Sequence, residues 1–420
     1  MPNPTQADVA RAAGVSRGLV SLALNGSPLV AQATAEHIKQ VANRMGYRVN
    51  AQAAALASRR SRVIALVLPH LINPFFDSIA QSLQEAARER GYVLFTVLGG
   101  ADAIEKELEE VLALRVEGLV FVSPALAADD LRNLGRAVPV CVIGRAGVGG
   151  QVDSVRVDEK AAAEKVLEHL RSQGVYAAVY IGPPATRDYN VTERQQCLMQ
   201  AAQQSGMTLL SLEDGRELRA QLEYVANQHL TDGASASAPA GTAKLAQRKP
   251  GEPAQLPGLA STPAGAKIGL VAHNDVVAID VLAALRSLGL NLPLISYDNT
   301  YLAAREEFRL TSVAQPTAVM AEKTLQLLVT RAQGLGSEAN DDGAGTNDGA
   351  GTNDDGARAT SDPAATSSAG TTSKLVKGVR ASDDVEPAVQ SEAAELRGRN
   401  QVLEPQLVVR QSSLTTSSGR

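Results

Sequence analysis

The 420-residue chain has no tryptophan, only 3% aromatic residues and just two cysteines, Cys141 and Cys197. Two cysteines in unrelated contexts do not build a disulfide framework, so we expect both to be structural thiols in a reducing cytoplasm. No apolar run is long enough to span a membrane, and no apolar signal core stands at the N-terminus. The sequence also lacks a P-loop, a Gly-x-Ser-x-Gly elbow and His-rich metal spacing. We therefore expect no enzyme activity, no metal and no cofactor.

Charge is distributed unevenly along the chain. Residues 1–62 hold eight Lys or Arg against two Asp or Glu, a net charge of +6, so the remaining residues carry −11 of the overall −5. A basic head on an acidic body is typical of a nucleic-acid-binding module attached to a soluble domain. At 44% apolar residues and this length, the body is large enough for one or two further domains.

The head has the pattern of three short helices. Thr5 is a good N-cap, and Asp8 supplies the acidic half of a capping box. Gly14 provides the positive-φ position that ends a first helix, and Ser16 caps a second one. A third helix, predicted over Thr34 to Met45, is needed because two such short helices cannot bury a core alone. The pattern predicts a helix-turn-helix over residues 1–48, although an ordinary small helical domain is the alternative.

Several ordered motifs in the head resemble the lactose/galactose repressor family. They are Asp8-Val-Ala-Arg-Ala-Ala-Gly-Val-Ser16, Val20-Ser21, Leu24-Asn25-Gly26, Val30, Thr34 and Gly46-Tyr47. The resemblance implies a homodimeric bacterial transcription regulator, a repressor, whose second helix enters the major groove of a near-palindromic operator. It also implies that a sugar-like effector bound in the core changes operator affinity.

The second helix supplies the candidate base-reading residues, which are Arg17, Gly18 and Leu22. A guanidinium can form a bidentate pair with guanine, whereas Leu22, where the family usually has a polar residue, offers only apolar contact, for instance with a thymine methyl. Candidate phosphate contacts, which position the protein without reading sequence, are Thr5, Ser16, Ser21, Asn25, Thr34 and Tyr47.

Residues 49–62 are rich in alanine and contain one large apolar side chain, Leu56. The resemblance implies a hinge helix that orders on DNA and inserts Leu56 into the minor groove. An ordinary Ala-rich linker is the alternative.

Residues 63–410 alternate apolar strands with amphipathic helices, which predicts parallel sheets covered on both faces. We predict strands at 63–68, 92–98, 118–123, 138–143, 177–182, 267–272 and 294–297, and helices at 79–90, 104–114, 161–173, 192–204 and 278–288. Two such sets with a cleft between them resemble the two-lobed, type I architecture of periplasmic binding proteins. A last strand is expected over 400–410 and a disordered tail over 411–420.

Two stretches, at about 231–266 and 334–395, are rich in small and polar residues, and the second contains a literal repeat of Gly-Ala-Gly-Thr-Asn-Asp. Such composition cannot bury enough apolar area to offset ordering entropy, so we interpret both as low-complexity insertions within the core.

The candidate effector-binding residues follow from the resemblance, and several stand where strands of the core end. They are Asn73, Phe75, Phe76, Arg145, Arg194, Asn274 and Asp298. Arg194 is expected at the start of a helix, where the family pairs arginine with effector hydroxyls or carboxylates. For Arg194, Asn274 and Asp298 the alternative is a role in hydrogen bonds that fix the domain. A transport-type sugar-binding protein is the competing function, which the basic head opposes.

Arg17→Ala should weaken operator binding by about 1–3 kcal/mol at one base-pair position, because a bidentate contact to one base would be lost. Arg59→Ala or Arg60→Ala should instead weaken all sequences alike and flatten the salt dependence. Gel shifts with operator and random DNA measure both effects. Equal losses on the two DNAs for Arg17→Ala would contradict the base-reading role.

Overall fold

The computed structural model describes residues 4–24, 26–47, 60–99, 104–146, 148–184, 189–230, 267–341 and 398–414. The chain divides into two compact units, Met1–Arg62 and Val63–Arg420. The predicted hinge helix and the first predicted insertion lie outside the described residues, apart from residues 60–62. Among the described helices, none combines the length and apolar character needed to cross a membrane.

The first unit contains three helices, α1 (Gln6–Ala13), α2 (Arg17–Leu24) and α3 (Gln32–Arg44). Their apolar faces meet in a small common core, as predicted for a helix-turn-helix with a supporting helix. That core consists of Val9, Ala10, Val20, Ala23, Val30, Ile38, Val41 and Ala42.

Both ends of α1 follow the predicted chemistry. The Thr5 hydroxyl accepts the backbone N–H of Asp8, and the Asp8 carboxylate accepts the backbone N–H of Thr5 at 2.9 Å, so the capping box is confirmed. Gly14 has φ 66° and ends the helix in the left-handed region. The third helix begins two residues earlier than predicted, at Gln32, and its N-cap Ala31 offers no side-chain bond.

The second unit consists of two parallel six-stranded sheets with helices on their faces. The strands are β1 (Val63–Leu68), β2 (Val93–Leu98), β3 (Gly118–Val122), β4 (Val140–Ile143), β5 (Val152–Val157), β6 (Val175–Gly182), β7 (Thr208–Glu213), β8 (Lys267–Ala272), β9 (Leu294–Asp298), β10 (Thr311–Ala314), β11 (Asn400–Leu403) and β12 (Gln406–Val408). The helices are α4 (Pro74–Glu89), α5 (Ile104–Ala113), α6 (Ala128–Ala137), α7 (Glu159–Ser172), α8 (Tyr189–Ser205), α9 (Leu218–Leu230), α10 (Asp275–Leu288) and α11 (Thr317–Asp341).

The strand order is β11-β5-β4-β3-β1-β2 in the first lobe and β12-β10-β9-β8-β6-β7 in the second. Within the described strands, β12 alone runs antiparallel to its neighbour, β10, and the other pairs are parallel. The predicted two-lobed architecture with parallel sheets is therefore confirmed. The sequence patterns missed β5, β7 and β10, because these strands mix polar and apolar residues rather than forming uninterrupted apolar runs.

The predicted single strand over 400–410 is wrong. The chain forms two short strands there, β11 in the first sheet and β12 in the second, separated by Glu404 and Pro405. Proline has no N–H to donate, so the ladder is interrupted at that point and the chain changes sheets. This is one of three places where the chain crosses between lobes; the others are β5 to α7 and β10 to α11.

Helix α11 starts after the second lobe's sheet but packs on the first lobe. Its Met320, Ala321, Leu325 and Leu328 are buried in the same core as Ile79 of α4. The helix continues to Asp341, past the start predicted for the second insertion at 334. The helix therefore includes the first eight residues of the stretch that composition assigned to the insertion. Residues 342–395 of that stretch lie outside the described part of the chain.

Both cysteines are free thiols. Cys141 is fully buried in the first lobe, where burial raises the pKa of its thiol far above the usual range. Burial also raises the pKa of the half-buried Cys197 to about 11. A thiol with a raised pKa is a weak nucleophile, which agrees with a structural role for each.

A buried ion-pair cluster joins β5, α11 and Arg399, the residue before β11. Asp153 of β5 is fully buried and accepts from Arg331 of α11 at 2.8 and 3.1 Å. It also accepts from the backbone N–H of Arg399 at 2.8 Å. Burial opposes the charged form of Asp153, but the hydrogen bonds from the two arginines outweigh it and lower its pKa.

Asp153→Asn should lower the free energy of unfolding by about 3–5 kcal/mol, because it removes the charge of the buried carboxylate to which Arg331 and Arg399 donate. Asp129→Asn is the matched control, since Asp129 pairs with Arg132 at the surface, where an ion pair contributes less than about 1 kcal/mol. Urea unfolding measures both variants. The stabilisation from Asp153 is present above its unfolded pKa and is lost as pH falls, so the gap between parent and Asp153→Asn should close in acid. A gap that persists in acid, or equal effects at the two sites, would contradict this assignment.

Candidate functional site

A cleft of about 350 Å³ lies between the two lobes, at the carboxyl ends of their parallel strands. Open α/β sheets bind ligands at this edge because the loops after the strands converge there. The residues of the first lobe that line the cleft are Pro69, His70, Asn73, Phe75, Phe76, Ser123, Ala125, Gly144, Arg156, Val157 and Met320. Those of the second lobe are Glu159, Pro183, Pro184, Asn190, Glu193, Arg194, His273, Asn274, Asp298 and Gln315.

Arg194 is fixed in the cleft by three hydrogen bonds and an aromatic contact. Its Nε and one Nη donate to the two Glu159 carboxylate oxygens at 3.1 and 2.7 Å. The other Nη donates to the His273 carbonyl oxygen, and the guanidinium carbon lies 3.9 Å from the centre of the Tyr297 ring. Arg194 lies within α8, five residues after its start at Tyr189, so its expected position at a helix start is wrong.

Asp298 forms a hydrogen bond across the cleft. Its carboxylate accepts from Asn73 Nδ2 at 2.7 Å, which joins the turn after β9 in the second lobe to the turn after β1 in the first. The Asn73 side-chain oxygen accepts the N–H of Phe75 and so caps α4. Burial raises the pKa of Asp298 to about 6, although Arg194 acts in the opposite direction.

The turn that presents Asp298 has an unusual backbone, with φ 92° at Asp298 and 47° at Asn299. Asp275 holds this turn in place. Its carboxylate accepts the backbone N–H and hydroxyl of Thr300 at 2.6 and 2.8 Å and the hydroxyl of Ser312 at 2.8 Å. Asp275 is thus a positioning residue, and it is fully buried.

Asn274 and His273 occupy the end of β8. Asn274 lines the cleft, but its side-chain oxygen caps α10 by accepting the N–H of Val277 at 2.9 Å. His273 Nδ1 lies 2.9 Å from the Tyr180 hydroxyl, and burial lowers the pKa of its imidazole well below the usual range. Both residues therefore take part in hydrogen bonds that fix the second lobe, while Asn274 also faces the cavity.

Arg145 differs from the other candidates because it is not among the residues that line the cleft. It donates to the Leu126 carbonyl oxygen, and its guanidinium carbon lies 3.4 Å from the centre of the Tyr189 ring. Tyr189 begins α8, so this contact joins the two lobes beside the cleft. One of its observed contacts is thus within the first lobe and the other is between the lobes, and an effector-binding role for Arg145 stays a prediction.

Phe75 and Phe76 both line the cleft, and both are also buried in the first lobe's core. Phe76 meets the ring of His70 edge-on, with ring centres 4.8 Å apart. An aromatic wall of this kind can pack against the apolar face of a sugar ring or a base.

Sequence reasoning missed three charged residues of the cleft: Arg156, Glu159 and Glu193. Arg156 stands on β5 and donates to Glu193 of α8 at 3.0 Å, so this pair also joins the lobes. Recognition of β5 in the sequence would have placed Arg156 and Glu159 near the end of a strand, where the other candidates were found. Asn190 Nδ2 donates to Ser123 Oγ at 2.6 Å and forms a further contact between lobes.

In the head, the predicted base-reading residues lie on the solvent-facing side of α2. Arg17, Gly18 and Leu22 are all exposed, whereas Val20 and Ala23 on the opposite side are buried. A helix that is exposed along one side and has an exposed arginine at its start has the geometry needed to read bases in the major groove.

The predicted phosphate contacts have different environments. Thr5 caps α1, and Ser16 Oγ accepts the N–H of Leu19 at 3.2 Å near the start of α2. Thr34 is half-exposed on α3, Ser21 is half-exposed on α2, and Tyr47 packs against the head core. Asn25 and Leu56 lie outside the described residues.

Comparison with known families covers both units. A profile of bacterial regulatory proteins of the lacI family matches residues 5–50. A profile of periplasmic binding proteins and the sugar binding domain of the LacI family matches residues 61–244, and one of periplasmic binding protein-like domains matches 167–342. The chain belongs to the LacI family. It is accordingly a DNA-binding transcriptional regulator, and the predicted resemblance is confirmed.

Relatives with established names support the same LacI-family assignment. Catabolite control protein A of Staphylococcus xylosus is 27% identical over 331 residues, which cover 76% of this chain and 90% of that protein. The maltose regulon regulatory protein MalI of Escherichia coli is 35% identical over 179 residues, 42% of this chain and 52% of its own. The lac repressor dimer bound to operator and an anti-inducer has a TM-score of 0.65 at 17% identity and covers 99% of this chain and 100% of that one, which shows a shared fold.

The raised pKa of Asp298 predicts a pH dependence for this LacI-family core. Its pKa is about 6 when folded against 3.8 as the ordinary value, so across that interval the folded protein binds a proton that the unfolded chain has released. The contribution of Asp298 to the free energy of unfolding should therefore decrease as pH rises through this interval. Urea unfolding of the parent and Asp298→Asn across the interval measures it. Parallel pH curves for the two proteins would contradict the raised pKa.

Proposed function

We propose that this protein is a homodimeric repressor whose operator affinity is controlled by a small, sugar-like effector bound in the cleft between its lobes. It acts in the cytoplasm, where it has access to the chromosome. The observation that carries the proposal is the hydrogen bond from Asn73 to Asp298, which joins the two lobes at the place where an effector would bind.

DNA recognition is assigned to α2. Arg17 would form a bidentate pair with a guanine in the major groove, Gly18 would allow close approach, and Leu22 would contact a thymine methyl. The support is that all three are exposed on one side of a helix whose other side is buried in the head core. Thr5, Ser16, Ser21, Asn25, Thr34 and Tyr47 are proposed to contact phosphates, which position the helix in the groove.

Effector binding is assigned to the cleft. Its volume of about 350 Å³ lies within the usual range for small-molecule sites. It combines an aromatic wall at Phe75 and Phe76 with polar groups on Asn73, Arg194 and Asn274. Structures with similar folds include a regulator named CelR in complex with cellobiose, with a TM-score of 0.51. That likeness supports a sugar-like ligand here.

Dimerisation is proposed through the edge of the first lobe. Strand β2 ends its sheet, and Val93, Phe95 and Leu98 on it are 64%, 44% and 48% exposed. An exposed apolar edge of this kind is a typical place for a second copy to pack. A two-fold dimer presents two heads, so the operator should consist of two half-sites with matching symmetry.

Effector binding can be coupled to DNA binding through the relative position of the lobes. Among the described residues, the contacts that join them around the cleft include Asn73 with Asp298, Ser123 with Asn190, Arg156 with Glu193 and Arg145 with Tyr189. A ligand that competes for Asp298 would change the balance between closed and open lobes. Such differential affinity for two states is the minimum that allosteric coupling requires.

The link to DNA is proposed to run through the stretch 49–62. A free helix this short is only marginally stable in water, whereas on DNA two of them can pack together with Leu56 in the minor groove. Selection of bound genomic fragments would identify the operator, and a salt-dependent gel shift with that operator tests the DNA-binding function directly.

Leu56→Ala should weaken operator binding while ligand affinity of the free protein stays nearly unchanged, because the wedge acts only on DNA. Asp298→Ala should do the reverse, so that operator binding is kept and its response to ligand is lost. Gel shifts with and without ligand, together with calorimetry of ligand binding, measure both variants. Operator binding by Leu56→Ala as tight as that of the parent would exclude the minor-groove wedge.

A further inference from the structure

We infer that the cleft selects an uncharged polyhydroxylated effector and rejects sugar acids and sugar phosphates, because both arginines that line it are already paired with glutamates. The inference rests on the proposed function, in that the effector is taken to bind in this cleft. It narrows the effector to one charge class.

The first pair removes Arg194 as an anion receptor. Its Nε and one Nη are bidentate to Glu159, and the side chains of the two residues are only 5% and 12% exposed. A bidentate carboxylate is the geometry in which an arginine would hold the carboxylate or phosphate of a ligand. Glu159 already occupies that position, so an anionic ligand would have to displace a buried counter-charge that belongs to the protein.

Arg156 is also paired with a glutamate, through a single hydrogen bond. Its Nη donates to Glu193 at 3.0 Å, and the two side chains are 20% and 25% exposed, while its buried Nε has no hydrogen-bond partner among the described residues. Glu193 therefore neutralises the charge of Arg156 without occupying its bidentate face. Of the lining histidines, the buried His273 does not supply a replacement cation, because burial lowers the pKa of its imidazole well below the usual range.

The remaining charge in the cleft is negative. Among its described lining residues are three carboxyl groups, Glu159, Glu193 and Asp298, against the two arginines. Asp298 pairs with the neutral amide of Asn73 rather than with a cation. An ionised carboxylate beside a low-dielectric wall repels a second anion but accepts hydrogen bonds from hydroxyl groups.

Hydroxyl groups of a ligand can also accept hydrogen bonds from the remaining N–H groups of Arg194. A guanidinium has five N–H groups, and the three bonds from Arg194 to Glu159 and His273 use three of them. The others can donate to neutral hydroxyl oxygens without breaking the pair. A neutral polyol therefore satisfies both Arg194 and Asp298, whereas the anionic group of a sugar acid or phosphate would have to displace Glu159 from Arg194 or lie near carboxylates that repel it.

Calorimetry with the full-length protein tests this with matched probes that keep the pyranose ring and differ in charge: glucose with glucuronate, galactose with galacturonate, and glucose with glucose 6-phosphate. The neutral member of a pair should bind roughly tenfold or more tightly than its acid. Glu159→Gln should narrow or reverse that preference, because it keeps the shape of the side chain but leaves Arg194 with an unpaired charge.

Two further variants make the result interpretable. Glu193→Gln leaves Arg156 without its counter-charge, so it should also narrow or reverse the preference for neutral sugars over acids. It provides the test if Glu159→Gln does not fold. Glu322→Gln is the control. Glu322 also pairs with an arginine, Arg90, but neither residue is among those that line the cleft. This variant should leave the preference unchanged.

An acid that binds the parent as tightly as its neutral partner overturns the inference, and so does an unchanged preference in both folded Glu→Gln variants. Gel shifts with the same probes separate the two proposals. If an acid binds and alters operator affinity, the proposed function holds and only the charge selectivity fails. If neutral sugars bind selectively without altering operator affinity, the selectivity holds and the effector role fails. Binding of none of the probes overturns both.

Discussion

The core of this protein depends on one constraint, which is that a charge removed from water must find a partner. Three carboxylates illustrate it. Glu159 neutralises Arg194 in the cleft, Asp153 pairs with Arg331 of α11 and Arg399 beside β11, and Asp275 accepts hydrogen bonds from hydroxyl and backbone N–H groups around the Asp298 turn. Each pairing joins segments that are far apart in the sequence. The electrostatics of burial therefore determine both how the lobes are assembled and what the cleft can recognise.

The cleft combines stability and function in the same side chains. Asn73 caps a helix and also contacts the opposite lobe; Asn274 caps another helix and also faces the cavity. Because these side chains both stabilise the lobes and face the ligand, a ligand can shift the lobes by competing for hydrogen bonds that already exist. In the proposed mechanism it has only to exchange its own hydroxyl groups for bonds that the protein already makes, and the free-energy difference between those two sets of bonds would set the change in operator affinity.

Local sequence chemistry determined much of this protein. The capping box at Thr5 and Asp8 and the left-handed Gly14 are set by neighbours a few residues apart, and so the first helices could be predicted closely. Uninterrupted apolar runs such as Val63–Leu68 identified most of the parallel strands because burial on both faces leaves no room for alternation. The resemblance in the head then indicated the family, and the ends of the strands indicated where several of the cleft residues would lie.

The tertiary structure alone decided the partners of those residues. Whether Arg194 is free to hold an anion depends on Glu159, which is 35 positions away in sequence and was not recognised because β5 mixes polar and apolar residues. Arg145 is taken up by Leu126 and Tyr189, and Pro405 divides what looked like one strand between two sheets. Local patterns report helix and strand propensity, which acts over a few residues. Charge pairing and sheet membership are settled by the packing of distant segments, and no short stretch of sequence contains that information.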